Sequence, residues 1–207
     1  MLQRRRTILT ARFMKRVGIF ALLFLAAGAA AAAAAGTHQS GPSAARCGGL
    51  TWRLKTFSDA QRRQVNVTPD STTIGSIRQR RGPGRPLVRR ATAFQFHAWE
   101  IPAQVTSLKL DSTGSVRLEL YDDNAYVNAV IPSPNCLSAK SRLRKDIVAA
   151  WHIIDKCAKP TSNWQSFGAI FFVRGIGFWG SKGTSRGAAP NGAELHPVTG
   201  LRIVAGC

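Results

Sequence analysis

Residues 101–131, IPAQVTSLKLDSTGSVRLELYDDNAYVNAVI, decide the fold. Ile101, Ala103 and Val105 alternate with polar neighbours, and Leu108 and Leu110 then take the opposite phase. Side chains alternate faces along a strand, so a slip of phase within one run predicts a β-bulge, and bulges bend strands. Asp111-Ser-Thr-Gly114 is a turn. Val116, Leu118 and Leu120 then alternate with Arg117, Glu119 and Tyr121, the pattern of a half-buried second strand. Asp122-Asp-Asn124 turns the chain again. Ala125 to Ile131 makes a third strand, stopped by Pro132 and Pro134.

Working C-terminally, a helix is expected over Ser138 to Lys159. Leu143, Ile147, Trp151, Ile154 and Ala158 form one apolar stripe at helical period, with Ser138 as N-cap and Pro160 as stop. Ala169 to Trp179 reads as a fourth strand, with Gly175 and Gly177 marking a bend or a close backbone approach. Gly180 to Gly192 is a Gly-rich loop carrying Lys182 and Arg186. Ala193 to Val204 is the fifth strand, whose Pro197 requires an edge or a bulge. Three strands, a helix and two strands, the first long and bent, is the element order of a five-stranded Greek-key barrel of the oligonucleotide/oligosaccharide-binding (OB) type, with one helix between strands 3 and 4. The expected fold class is therefore mainly β and OB-like, over residues 93–207.

Working N-terminally, residues 47–92 read as an extension. Leu50, Trp52 and Leu54 alternate as in an edge strand. Ser58 to Arg90 is poor in apolar residues and rich in charge, which predicts an extended, mobile arm or loop. Its core, Arg80-Arg-Gly-Pro-Gly-Arg-Pro86, resembles the Gly-Arg-Pro centre of an AT-hook, but the match is three residues long and an exported protein meets little duplex DNA, so a solvated basic loop is the expectation. Residues 36–46 read as a linker. Residues 1–35 read as a signal peptide: Arg4, Arg5, Arg6, Arg12, Lys15 and Arg16 precede an apolar run that ends in an alanine tract. An uncleaved membrane anchor is the alternative. Export places the chain outside the cytoplasm, and its only expected membrane contact is through that leader.

The chain has 207 residues with 29 Lys plus Arg against 10 Asp plus Glu, net +19. Removing the six leader cations leaves 23 basic residues against the same 10 acids, net +13. Such a charge suits anionic partners, and a composition of 44% apolar and 19% charged residues excludes a wholly disordered or collagen-like chain. Four cysteines in an exported chain predict two disulfides. Cys47–Cys207 would tie both ends of the domain and Cys136–Cys157 would flank the helix, and this is the expected pairing. No Cys-x-x-Cys pair is present, so no zinc site is expected, nor any other metal or cofactor.

Ligands of an OB barrel lie across its second and third strands, between the first and last loops. The residues this assigns to a binding face are Arg117, Tyr121, Tyr126, Asn128, Trp179, Lys182 and Arg186. Aromatic platforms beside cations suit single-stranded nucleic acid or sugars. Glu119, Asp122 and Asp123 share that region and oppose phosphate. Glu194 and His196, two apart on a strand, share a face and form a candidate acid–base pair.

The segments Leu54-Lys-Thr56, Ser71-Thr-Thr73, Trp99 with Ala103-Gln104, Ile131-Pro-Ser-Pro-Asn-Cys136, Gly175-Ile-Gly-Phe-Trp179, Ala189-Pro-Asn191 and Glu194-Leu-His-Pro-Val198 resemble a family of uncharacterised exported bacterial proteins, chiefly actinobacterial. The resemblance covers most of residues 47–207. It implies one exported domain and a role for the Glu-Leu-His-Pro-Val segment, and carries no known activity with it. Relatives tend to hold Asp and His where this chain has Gly180-Ser-Lys182.

Three functions follow as expectations. The first is a secreted basic binding module for an anionic polymer (nucleic acid or cell-wall polymer) or a glycan, without chemistry of its own. The second is a secreted hydrolase, such as a nuclease, using Glu194 and His196. The third is a structural envelope-associated protein. Oligomeric state is left open.

Overall fold

The computed structural model describes residues 47–183 and 185–207. Residues 1–35, expected to be a signal peptide, and 36–46, expected to be a linker, lie outside the described residues. The fold is mainly β. Six strands form one mixed sheet: β1 (Asn66–Ser71), β2 (His97–Leu110), β3 (Val116–Asp122), β4 (Ala125–Ile131), β5 (Gln165–Trp179) and β6 (Ala193–Ala205). Their order is β1-β2-β3-β4-β6-β5, and β2 also pairs with β5. The β4–β6 and β1–β2 ladders are parallel; β2–β3, β3–β4, β2–β5 and β5–β6 are antiparallel. The helices are α1 (Trp52–Lys55), α2 (Ile74–Gln79) and α3 (Arg144–Ala158), the last between β4 and β5.

The expected phase slip in β2 is a register shift between Val105 and Ser107 against both β3 and β5. It lets Val105 and Leu108 both reach the core, fully buried. Asp123 and Asn124 hold left-handed φ of 44° and 57°. Two such residues in succession give the primed turn whose twist suits a tight hairpin, and Asp122 pairs with Ala125 across it. In β6, Leu195 and Val198 pair with Gly177 and Gly175, so Pro197 sits in an irregular stretch that asks no ladder bond of it. A Cβ on Gly175 would lie 2.9 Å from the Leu195 Cβ, which is why these two strands approach through glycine.

Residues 47–92 differ from the expectation. The segment at Leu50–Leu54 is not an edge strand: α1 forms there, Thr56 closes it by donating its N–H and hydroxyl to the Trp52 carbonyl, and Leu50 is exposed. Leu54 and Phe57, three residues apart, are the buried pair, a helical rather than an alternating spacing. The supposed arm contains β1 and α2. Strand β1, NVTPDS, has little apolar patterning to betray it and carries Pro69, as an edge strand can. In α2, Thr73 Oγ1 accepts the Ser76 N–H at 3.1 Å as N-cap, and Ile74 and Ile77 are fully buried. Phe57, Val65, Ile74 and Ile77 belong to the same core cluster as the strands that follow. The basic segment is tied down as well. Arg80 lies 4.2 Å over the Trp99 ring, Asn191 Nδ2 donates to the Ile77 and Arg80 carbonyls, and Arg90 is buried against Asp59.

Helix α3 begins at Arg144, six residues after the expected start, because Ser138 opens a turn of its own in which its carbonyl accepts the Ser141 N–H. The stop is where the stripe placed it: Lys159 takes a left-handed φ of 47° just before Pro160.

Both expected disulfide partners of Cys47 and Cys136 are corrected. The bridges are Cys47–Cys136 and Cys157–Cys207, with Cα separations of 5.4 and 5.3 Å. At about 1.5 Å per residue, a helix carries its last turn roughly 20 Å from its first. Cys157 therefore lies far along α3, where the end of β6 packs, and Cys136 stays by the β4 end of the helix. Two disulfides fit an oxidising compartment. No helix among the described residues is long and apolar enough to cross a membrane.

Candidate functional site

A concavity of about 540 Å³ is lined by Thr51, Lys55, Pro86, Lys109, Arg117, Trp164, Phe178, Gly180, Ser181, Ser185, Arg186 and Glu194. Six separate parts of the chain build it: α1, the basic 80–90 loop, the β2–β3 hairpin, the start and end of β5, the 180–192 loop, and β6.

Four cations and one carboxylate line this cavity. Lys109 and Arg117 are direct partners in the β2–β3 ladder. Lys109 Nζ lies 5.1 Å from the centre of the Trp164 ring and Arg186 lies 5.6 Å from it. Lys55 Nζ lies 5.5 Å over the Phe178 ring. Neither lysine has a carboxylate within ion-pair distance among the described residues. Arg117 Nη1 stands 3.6 Å from Glu194 Oε1, a loose contact.

The 180–192 loop is anchored onto the β3–β4 hairpin. Arg186 Nε donates to Glu119 Oε2 at 2.8 Å, and Ser107 and Thr106 donate to the same oxygen. Burial would raise the Glu119 carboxyl, but the hydrogen bonds from Ser107, Arg186 and Thr106 outweigh it and hold it below the usual carboxylate value. Asn128 Nδ2 donates to the Arg186 carbonyl at 3.2 Å. Gly187 makes the approach feasible: its φ is +70°, and a Cβ there would lie 2.6 Å from Asn128 Oδ1.

Glu194 and His196 do share a side of β6, with Oε2 and Nδ1 3.9 Å apart. That is beyond hydrogen-bond distance, and His196 Nδ1 is buried without a hydrogen-bond partner. Burial drives the His196 ring down to about 4, the facing Glu194 carboxylate only partly opposing it. The imidazole is thus neutral at physiological pH. Burial works against ionising Glu194, yet the His196 ring, Arg117 and Lys55 together keep it below the usual carboxylate value. Glu194 reaches the cavity; His196 is buried behind it, 5.4 Å from the Phe178 ring between centres.

Of the residues assigned from sequence, Arg117 and Arg186 line the cavity and Asn128 supports its loop. Tyr121 and Tyr126 pack against each other at the β3–β4 turn, centres 4.8 Å apart with their planes tilted by 46°, and are not among the lining residues. Trp179 is in the core, its Nε1 donating to Thr92 Oγ1. Lys182 is exposed and outside the lining. Lys55, Lys109, Trp164 and Phe178 were not assigned. Lys109 had a signal, because the Asp111–Gly114 turn sets a register that puts it opposite Arg117. Lys55 and Trp164 had none: one comes from a helix read as a strand, and the other precedes a strand read as starting four residues later than it does.

Among the described residues no group of three or more His, Cys, Asp or Glu could hold a metal ion. What the fold and cavity define together is a disulfide-linked, mainly-β protein with a cation-lined, aromatic-walled cleft. No protein-family model matches the chain, and no curated protein does.

Proposed function

We propose that the chain is an exported binding module with an OB-like barrel that takes an anionic polymer or glycan and performs no chemistry of its own. The single observation that carries this reading is the cavity on which Lys55, Lys109, Arg117 and Arg186 converge beside Trp164. Arg186 is paired with Glu119, which leaves Lys55, Lys109 and Arg117 against Glu194 alone; that excess of cations favours an anion, and aromatic walls suit a ring. The pairing sequence supports the barrel: β2–β3–β4–β6–β5 returns to β2, with the helix between β4 and β5. The disulfides and the basic, then apolar, first 35 residues support export.

The test is binding of the purified chain to single-stranded DNA, a heparin-like polymer and an anionic cell-wall polymer as salt rises. Affinity should fall steeply between roughly 50 and 200 mM salt. A flat response, or no binding to any of the three, removes the reading. The hydrolase alternative draws on Glu194 lining the same cavity. Against it, the buried, neutral His196 is out of hydrogen-bond reach of that carboxylate. Turnover of DNA, RNA or polysaccharide that is lost in His196→Ala would favour it nonetheless.

A further inference from the structure

We infer that the cavity is built for one sugar-phosphate unit: its phosphate held by Lys55, Lys109 and Arg117, its hydroxyls by Glu194, and its ring against Trp164. This rests on the cavity being the anion site and adds which anion it takes.

The first argument is containment. The cations are not spread along a groove, as a backbone-tracking surface would have them; they surround one cavity of about 540 Å³. That volume lies in the range of single small-molecule sites. The second argument is the cost of the arrangement. Like charges directly opposite in a ladder destabilise a sheet, yet Lys109 faces Arg117 across β2 and β3 and both reach the cavity. Lys55 converges on the same space from α1. Three cations converging with only a loose carboxylate contact leave N–H donors for one compact, highly charged acceptor, and a phosphate supplies it.

The third argument is the carboxylate. A cavity meant for bare phosphate alone has no use for Glu194 among its walls, since a carboxylate repels phosphate. A carboxylate does accept hydrogen bonds from sugar hydroxyls, and the Arg117 contact leaves it acceptor capacity. Room is kept for it by Gly180, where a Cβ would lie 2.5 Å from Glu194 Oε1. Trp164 supplies the apolar face a sugar or base ring packs on.

The experiment is calorimetric titration of the full oxidised chain at about 50 mM salt with ribose 5-phosphate, adenosine monophosphate, ribose, adenosine and inorganic phosphate. Ribose 5-phosphate should bind about tenfold or more tightly than either inorganic phosphate or ribose, the scale of one charged hydrogen bond gained or lost. Lys109→Met and Lys55→Met should each weaken it by a similar factor, with folding checked by thermal unfolding, and Glu194→Gln should narrow its advantage over inorganic phosphate. Tighter binding of the nucleotide assigns a nucleic-acid unit, and equal binding assigns a phosphorylated sugar; both support the inference. Equal affinity for inorganic phosphate and ribose 5-phosphate overturns it, and so do unchanged affinities in the folded lysine variants. If polyanions bind with steep salt dependence and sugar phosphates do not, this inference falls and the binding-module reading stands. If polyanions fail too, both fall.

Discussion

Lys109 and Arg117 are cross-strand neighbours on β2 and β3, and both line the same cavity. Two cations held side by side raise the energy of the empty protein. Neutralising one of them should therefore leave stability unchanged or raise it, by about 0.2–1 kcal/mol. Urea unfolding of Lys109→Met checks this. Loss of more than about 1 kcal/mol would mean that the lysine serves packing instead.

The Arg90–Asp59 pair behaves in the opposite way. Arg90 Nη2 and Nε donate to the two Asp59 oxygens, Nη1 donates to the Gln95 carbonyl, and the guanidinium lies 5.1 Å over the Phe57 ring. Both side chains are almost wholly buried, at 1% and 9% exposure. Removing one partner strands the other charge in the interior. Asp59→Ala should cost about 3–5 kcal/mol in urea unfolding, and a double substitution to well-packed apolar residues much less.

These two pairs show what sequence could and could not reveal. Strands β3 and β4 were legible to within a residue, since alternation and the Asp123-Asn124 turn carry their own register. The bend in β2 was legible as a phase slip. Arg90 sits in a basic run that by itself predicts a loose arm, because its partner lies 31 residues back in a segment without periodicity. Strand β1 was hidden for a related reason: its ladder with β2 is held by backbone bonds, and its own side chains are mostly exposed. The cavity was half legible. Residues of the hairpin and last loop follow from topology, whereas Lys55 and Trp164 arrive only through tertiary packing.

The corrected disulfides give a test that needs no ligand. Non-reducing peptide mapping should recover Cys47 joined to Cys136 and Cys157 joined to Cys207. The bridges span 89 and 50 residues of sequence. Loop-closure entropy alone then assigns about 4–5 kcal/mol to each, with the longer slightly ahead. Replacing both cysteines of either pair by serine should lower stability by about 2–5 kcal/mol. A map with Cys47 joined to Cys207 would contradict this architecture at both ends of the described chain.

His196 makes stability depend on pH in a definite direction. Its folded value, about 4, lies below the ordinary 6.5. The unfolded chain therefore binds a proton more readily than the folded one, and the neutral ring's contribution is complete above pH 6.5. It is lost as pH falls toward 4, by roughly 2 kcal/mol between neutrality and pH 5. Glu194, held below its ordinary value of 4.5, acts in the same direction but over a lower range. Urea unfolding at pH 7.5 and pH 5 measures the difference, and His196→Gln should shrink it while Glu194→Gln leaves most of it in place. A difference of the same size in the His196→Gln chain would assign the effect to other groups, and would remove the case that a buried, neutral imidazole stands behind the cavity wall.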